Sequence, residues 1–244
     1  MTILCLDFGN TRLKAAVFEE AMLKEEMVLP DDCQTSIEQL LDQHQPAQTI
    51  LASVIDHPPA IEALLASRST FHRLTANSQL NFSIAVGKKE SIGADRLALL
   101  AAAIQLFPQT NTLIIGLGSC ITYNFINQYH QFLGGSISPG LEMRFKALHT
   151  FTAKLPLVEA AWNIPLIGYD TATNIQSGVI TGMACEIDGM IDQYSARYGN
   201  FNVVLTGGNS MYFASQLKNK IFADAHFLFK GLYALSEINN RPNL

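Results

Sequence analysis

The sequence has no excess of positive charge and no long apolar run. Its 16 lysines and arginines are outnumbered by 21 aspartates and glutamates, which gives a net charge of −5. This balance argues against nucleic acid as the main partner. The longest apolar run, residues 97–107, is interrupted by Gln105 and is too short to cross a bilayer. We therefore expect neither a nucleic-acid partner nor a membrane partner.

Cysteine is also scarce. The four cysteines are Cys5, Cys33, Cys120 and Cys185, and no two of them have C-x-x-C spacing. Scattered thiols of this kind predict reduced side chains in a cytoplasmic protein. The N-terminus has no basic region and reaches Asp7 too early for a signal peptide, so it predicts the same location.

Several catalytic motifs are missing as well. The sequence Gly87-Lys88-Lys89 lacks both the earlier glycine and the Ser or Thr of a Walker A loop. No H-E-x-x-H or G-x-S-x-G pattern occurs either. These absences argue against a P-loop nucleotide site, a zinc protease site and the nucleophile elbow of an α/β-hydrolase.

What the chain does have is a polar turn between two apolar runs at its start, residues 1–18. Gly9 and Asn10 suit a turn whose N–H groups surround an anion, and Lys14 adds a cation. Asp7 ends the first run with a carboxylate that could hold hydrated Mg²⁺. The stretch therefore predicts a strand–turn–strand that binds phosphate and a metal, although an ordinary hairpin fits the same pattern.

The same pattern returns in the middle of the chain. With Asp7 aligned to Gly116 and Gly9 to Gly118, residues 4–10 match residues 113–119 at a constant offset. This spacing predicts two related halves that grip a nucleotide phosphate chain from both sides. The match is short, and a coincidence between two strands is the alternative.

Strand-like and helix-like segments alternate along the chain, which is typical of a layered α/β fold. The pattern predicts helices over residues 36–44, 59–67, 93–107, 141–149, 173–198 and 211–218, and strands over 25–30, 48–54, 112–115, 121–126 and 201–205. Gly178, Gly182 and Gly189 lie on or near one face of the long helix, where close approach of another helix would offset their low helix propensity.

Six motifs in order make the chain resemble a type III pantothenate kinase of the acetate and sugar kinase, Hsp70 and actin superfamily. They are DFGNTRLK at 7–14, GADR at 93–96, GLGSCIT at 116–122, GGSISPG at 134–140, TAKLP at 152–156 and LTGGN at 205–209. The resemblance implies two ribonuclease H-like (actin-like) lobes with mixed sheets flanked by helices, related by internal duplication. We expect lobes at residues 1–108 and 109–244.

The resemblance also implies the site. It predicts Asp95 as the catalytic base, whereas physics alone favours a carboxylate that interacts with a helix dipole. It implies that ATP is bound by Asp7, Phe8, Gly9, Asn10, Thr11, Arg12, Leu13, Lys14 and Ser119, with Mg²⁺ at Asp7. It implies that pantothenate is bound by Gly93, Ala94, Asp95, Arg96 and, from the partner in a homodimer, Thr171. The expected product is 4′-phosphopantothenate, made in the first step of coenzyme A biosynthesis.

The chain departs from the family pattern at four positions. Gly116 replaces an aspartate of a K⁺ or NH₄⁺ site, so a monovalent cation is doubtful here, and Ser119 replaces a threonine but keeps its hydroxyl group. Asn124 replaces a common acid and Val86 a common tyrosine. The changes at Gly116, Asn124 and Val86 leave open an alternative function, that of a catalytically weakened regulator that binds a nucleotide or pantothenate.

Overall fold

The computed structural model describes residues 1–30 and 33–240, which form two compact units. The first unit comprises the described residues within 1–109, 128–133 and 226–240. The second comprises residues 110–127 and 134–225. The C-terminal segment thus groups with the first unit, and the predicted lobe boundary after residue 108 stays a prediction.

The first unit contains a five-stranded mixed sheet. Its strands are β1 (Thr2–Phe8), β2 (Leu13–Glu19), β3 (Met22–Leu29), β4 (Gln48–Ser53) and β5 (Thr70–Arg73), in the order β3-β2-β1-β4-β5. The first three strands form an antiparallel meander, and β4 and β5 continue the sheet in parallel with β1. The predicted strand–turn–strand at the start of the chain is confirmed.

Helices cover both faces of this sheet because consecutive residues of its central strands, such as residues 3–6, are apolar and buried. On one face, α1 (Gln34–His44) and α2 (Pro59–Arg68) pack on Leu4, Leu6 and Phe8. On the other lie α3 (Ala94–Leu106) and α7 (Phe227–Asn239), with the Phe18 and Tyr233 ring centroids 4.9 Å apart. The short strand β6 (Ser83–Ile84) and a 3₁₀ turn, Lys89–Ser91, precede α3.

The second unit repeats the strand order of the first. Its strands are β7 (Thr112–Leu117), β8 (Cys120–Ile126), β9 (Gln131–Pro139), β10 (Asn202–Gly207) and β11 (Phe222–Ala223). They are ordered β11-β10-β7-β8-β9, and the start of β9 also pairs with β6. The β7–β8 pair is antiparallel, whereas β10 is parallel to β7 and to β11. The repeated topology fits the predicted duplication, and the α/β class with two mixed sheets is confirmed.

The helices of the second unit are α4 (Leu141–Thr150), α5 (Thr171–Tyr198) and α6 (Ser210–Ala214). The prediction that α6 reaches Lys218 is wrong. The backbone N–H groups of Lys218 and Asn219 donate instead to the buried Asp188 carboxylate, at 3.0 and 3.1 Å. These two hydrogen bonds hold residues 218 and 219 in a loop, where the sequence had predicted a helix.

The long helix α5 begins two residues earlier than predicted. The Asp170 carboxylate accepts the backbone N–H of Thr173 at 2.8 Å, which caps the first turn. Within the described part of the chain, a Cβ added at Gly178, Gly182 or Gly189 would meet no atom within 4 Å. The close approach of another helix expected at these glycines is therefore not made by residues 1–30 or 33–240.

No helix within the described residues combines the length and the apolar character needed to span a membrane. Cys5 and Cys33 are buried, Cys120 is half-buried and Cys185 is exposed.

Candidate active site

The turn between β1 and β2 is short and accessible. The Gly9 N–H donates to the carbonyl of Arg12 at 3.2 Å, and a Cβ on Gly9 would lie 3.3 Å from that same oxygen. Asn10, Thr11 and Arg12 are exposed, whereas Phe8 is buried beneath them. The turn thus offers backbone and side-chain groups to a ligand from a rigid, well-packed base.

Asp7 lies opposite Lys14 in the β1–β2 register, so both side chains project from the same face of the sheet. Burial raises the pKa of the Asp7 carboxyl to about 7, and the nearby charges of Asp95 and Glu26 add to the rise while Lys14 opposes it. Two acids from sequence motifs that lie far apart, Asp7 and Asp95, therefore interact within the first unit.

Asp95 occupies the first turn of α3, directly after Gly93 and Ala94. A Cβ on Gly93 would lie 2.4 Å from Asp95 Oδ1 and 3.4 Å from Val54 Cγ1, so a glycine lets the carboxylate fold back over the chain. Burial raises the pKa of Asp95, and the backbone N–H and the charge of Arg96 oppose that rise. A half-buried carboxylate of raised pKa is suited to accept a proton.

Arg96 lies beside this carboxylate. Its guanidinium carbon is 5.5 Å from the centroid of the Phe132 ring, a cation–π geometry. Burial lowers the pKa of Arg96, and the Asp95 charge opposes the shift. The first unit therefore brings together the turn, Lys14, Asp7 and the whole Gly93–Arg96 motif.

The second hairpin, in the other unit, differs from the first in two ways. Leu117 pairs with Ile121, so the turn is one residue shorter than the Gly9–Arg12 turn, and the Gly118 N–H donates to Cys120 O at 3.0 Å. Gly116 faces Thr122 across the strands, where Asp7 faces Lys14. The second hairpin thus provides the half-buried Ser119 but has neither a carboxylate at Gly116 nor a lysine opposite it.

Asn124 lies inside the sheet of the second unit and is fully buried. Its Nδ2 donates to Thr122 Oγ1 at 3.2 Å and to Ile114 O at 3.4 Å. A neutral amide can be buried with these two bonds, whereas a carboxylate there would lose solvation without a cation. The change from acid to amide thus suits a site without a monovalent cation.

Two further glycines surround the second turn. A Cβ on Gly140 would lie 2.4 Å from the carbonyl oxygens of Gly118 and Ser119. Gly207 has φ +100, and a Cβ there would lie 2.3 Å from Leu117 O. The GGSISPG and LTGGN motifs therefore bring two backbone segments against the second turn, a packing that only glycine permits.

Thr171 is exposed at the first residue of α5 and lines a cavity of about 680 Å³ between α4 and α5. The residues that line the cavity include the apolar Leu148 and Ile175 and the basic Arg144. The Arg144 guanidinium donates to Pro139 O at 2.8 Å, to Ser138 Oγ at 3.0 Å and to Glu186.

Sequence reasoning did not identify Arg144, Glu186 or Glu26. The alternation along β3 could have placed Glu26 on the same face as Lys14, because residues two apart share a face. Arg144 carries no comparable local signal, since its partners come from β9 and α5.

The carboxylates of Asp7 and Asp95 fit a magnesium ion that takes most of its ligands from water and substrate phosphates. Within residues 1–30 and 33–240, no group of three or more His, Cys, Asp or Glu side chains is arranged to hold a metal. Mg²⁺ typically uses one or two carboxylates together with waters and substrate phosphates. The Asp7 carboxyl, whose pKa is raised by burial and by the nearby Asp95, fits a magnesium site that has few protein ligands.

Comparisons with known proteins identify the family. The sequence model described as "Type III pantothenate kinase" matches residues 3–193. A type III pantothenate kinase of Flavobacterium johnsoniae is 39% identical over 232 residues, which cover 94% of this chain and 95% of that protein.

Solved structures with low sequence identity share the architecture. A Campylobacter jejuni protein described as a Baf family transcriptional activator has a TM-score of 0.61 at 19% identity, covering 97% of this chain and 98% of that chain. A Sinorhizobium meliloti protein described as a 2-dehydro-3-deoxygalactonokinase has a TM-score of 0.56 at 14% identity, with the same coverage. These likenesses show the fold alone, the ribonuclease H-like (actin-like) fold predicted from the sequence. On the evidence of the matched family model and the nearly full-length relative, this chain belongs to the type III pantothenate kinase family.

Proposed function

We propose that this protein transfers the γ-phosphate of ATP to the terminal hydroxyl of pantothenate, giving 4′-phosphopantothenate in the first step of coenzyme A biosynthesis. Membership of the family supplies the reaction. The observation that carries the assignment to particular residues is the interaction of Asp7 with Asp95, beside Lys14 and the first turn. The comparisons contain nothing that favours the alternative function, a catalytically weakened regulator that binds a nucleotide or pantothenate.

In this proposal the first turn binds the nucleotide. The exposed groups of Asn10, Thr11 and Arg12, with the backbone from Phe8 to Leu13, contact the phosphates, and Lys14 adds positive charge. The contact of the Ser119 hydroxyl group with ATP stays a prediction from the sequence. Asp7 would hold Mg²⁺, which would supply positive charge beside the phosphates.

Asp95 orients the substrate hydroxyl and accepts its proton at Oδ1 or Oδ2. Phosphoryl transfer has a loose transition state, so the position of the nucleophile matters more than strong basicity. The pKa of Asp95, raised by burial, still makes it a better acceptor than an exposed aspartate. Gly93, Ala94 and Arg96 bind pantothenate around this carboxylate.

We propose further that the active form is a cytoplasmic homodimer in which Thr171 reaches the pantothenate site of the partner. The support is four strongly exposed apolar side chains between the end of α4 and Thr171: Phe151 (85% exposed), Leu166 (75%), Ile167 (84%) and Tyr169 (81%). Exposed apolar side chains of this size, where they form one patch, mark interaction surfaces. The glycines at 178 and 182, whose Cβ positions are open, add a face on α5 that a second helix could approach.

The test is to incubate purified protein with ATP, Mg²⁺ and pantothenate and to measure phosphopantothenate. Asp95→Asn should lower kcat about 10²-fold or more, the usual scale for a general base, with both substrates bound within a few fold of wild type. Asp42→Asn is the control, because Asp42 forms an exposed ion pair with Arg68 on the outer helices. Near-normal turnover by Asp95→Asn would contradict the role of Asp95. A wild-type protein that binds both ligands without turnover would favour the regulator instead.

A further inference from the structure

We infer that Glu26 is a positioning residue for nucleotide binding, which holds Lys14 in place and is itself held by His226. Lys14 Nζ donates to Glu26 Oε1 at 3.0 Å. The second carboxylate oxygen, Oε2, lies 2.5 Å from His226 Nδ1. The inference rests on the proposed role of Lys14 at the ATP phosphates.

The sheet register explains why these groups meet. Lys14 pairs with Asp7 on one side, and Glu26 pairs with Ala16, two residues along from Lys14. Residues two apart on a strand share a face, so Asp7, Lys14 and Glu26 form a row of alternating charge across three strands. Both Lys14 and Glu26 contribute to the electrostatic environment that sets the pKa of Asp7.

The position of Glu26 in this row explains how it would orient the Lys14 side chain. A lysine side chain has many rotamers, and a lysine flanked by one carboxylate alone would turn towards Asp7. Glu26 draws the ammonium group away from Asp7, which keeps Asp7 available for a cation and fixes Lys14 before the nucleotide arrives. Fixing a flexible group in advance lowers the entropic cost of binding.

His226 connects the row to the helix that packs beside Asp95. It immediately precedes α7, and α7 packs so closely on α3 that a Cβ on Gly231 would lie 1.8 Å from Ala98 O. Asp95 is in the first turn of the same α3. The Glu26–His226 contact therefore joins the hairpin that carries Lys14 to the helix pair that carries Asp95.

A second glutamate of the same unit provides a matched control. Glu62 Oε1 contacts His57 Nε2 at 2.9 Å and Arg73 Nη1 at 2.8 Å. Its side chain is 27% exposed, against 21% for Glu26. Glu62 thus also joins a histidine to a basic side chain, but on α2, against the opposite face of the sheet.

The experiment compares Glu26→Gln, Glu62→Gln, Lys14→Ala and the double variant Lys14→Ala/Glu26→Gln. ATP binding is measured by calorimetry, independently of turnover, and KM for ATP and for pantothenate is measured with the full-length protein. We expect Glu26→Gln to weaken ATP binding and raise KM for ATP about 5- to 20-fold, with KM for pantothenate within two-fold. The double variant should bind ATP no worse than Lys14→Ala, since Glu26 acts through Lys14. Glu62→Gln should bind ATP like the wild type.

Three results would overturn the inference: unchanged ATP binding in Glu26→Gln, an equal loss for both substrates, or additive losses in the double variant. If Lys14→Ala itself leaves ATP binding unchanged, the proposed role of Lys14 fails together with the inference. If Lys14→Ala weakens ATP binding and Glu26→Gln does not, the proposed function is retained and the positioning role of Glu26 is wrong. His226→Ala, which keeps the Lys14–Glu26 pair, should cause a smaller loss of about 2- to 5-fold and serves if Glu26→Gln does not fold.

Discussion

Asp7 is a carboxylate that the first unit buries at a cost in folding free energy. Its pKa of about 7 lies above its ordinary value of 3.8, so the folded protein keeps a proton that the unfolded chain loses between about pH 4 and pH 7. The unfolded state binds fewer protons in that range, and the free energy of unfolding therefore falls as pH rises to about 7.

Replacing Asp7 by Asn removes this penalty. Without Mg²⁺ and nucleotide, we expect Asp7→Asn to match the wild type near pH 4 and to exceed it by about 1–3 kcal/mol at pH 8. Denaturant unfolding at a series of pH values checks this expectation. A variant that is less stable than the wild type at pH 8 would mean that the Asp7 carboxylate is stabilised by its surroundings.

Gly116 predicts a weak monovalent-cation requirement. The position has no carboxylate, and the nearby Asn124 amide is already hydrogen-bonded to Thr122 and Ile114. Rates measured in K⁺, Na⁺ and a bulky organic cation at equal ionic strength should agree within about two-fold. Strong activation by K⁺ or NH₄⁺ would show that other groups form the site.

At the scale of elements, the contact between α3 and α7 depends on Gly231. A Cβ there would lie 1.8 Å from Ala98 O and 3.2 Å from the Ala102 N, so the helices must separate to accept it. Gly231→Ala should destabilise the protein by roughly 2–4 kcal/mol. Gly87→Ala is the control, because a Cβ at Gly87 meets nothing within 4 Å and should change stability by less than about 0.5 kcal/mol. Equal stabilities of the two variants in denaturant unfolding would contradict the tight helix contact.

At the scale of the whole molecule, the proposed dimer makes two measurable predictions. Light scattering should give about twice the chain mass of 26.8 kDa. Mixing an inactive Asp95→Asn chain with a Thr171→Val chain that binds pantothenate poorly should restore some active sites. In a mixed dimer, one of the two sites combines the intact Asp95 of one chain with the intact Thr171 of the other. A fully active monomer at nanomolar concentration, or no restoration despite subunit exchange, would rule out the shared site.

The sequence was informative wherever a local pattern decides the structure. The strands around the first turn, the long helix α5 and the helix that opens with Asp95 were predicted to within a few residues, since period and capping residues act locally. It failed for α6, where Asp188, far away in the chain, captures the backbone of Lys218 and Asn219. It assigned no element to α7, although that helix completes the layer around α3.

The sequence by itself determined the family, the α/β class and the residue types of the site, because these follow from motifs and periodicity along the chain. Only the tertiary structure decided which of those residues interact. The pKa of Asp7 depends on Asp95, which is brought near by the packing of α3 on the sheet. The position of the Lys14 side chain depends on its ion pair with Glu26, which the strand register places beside it. Glu26 is in turn contacted by His226, the residue before α7. Burial and Coulomb energies depend on distances in space, and a sequence does not contain those distances until the chain is folded.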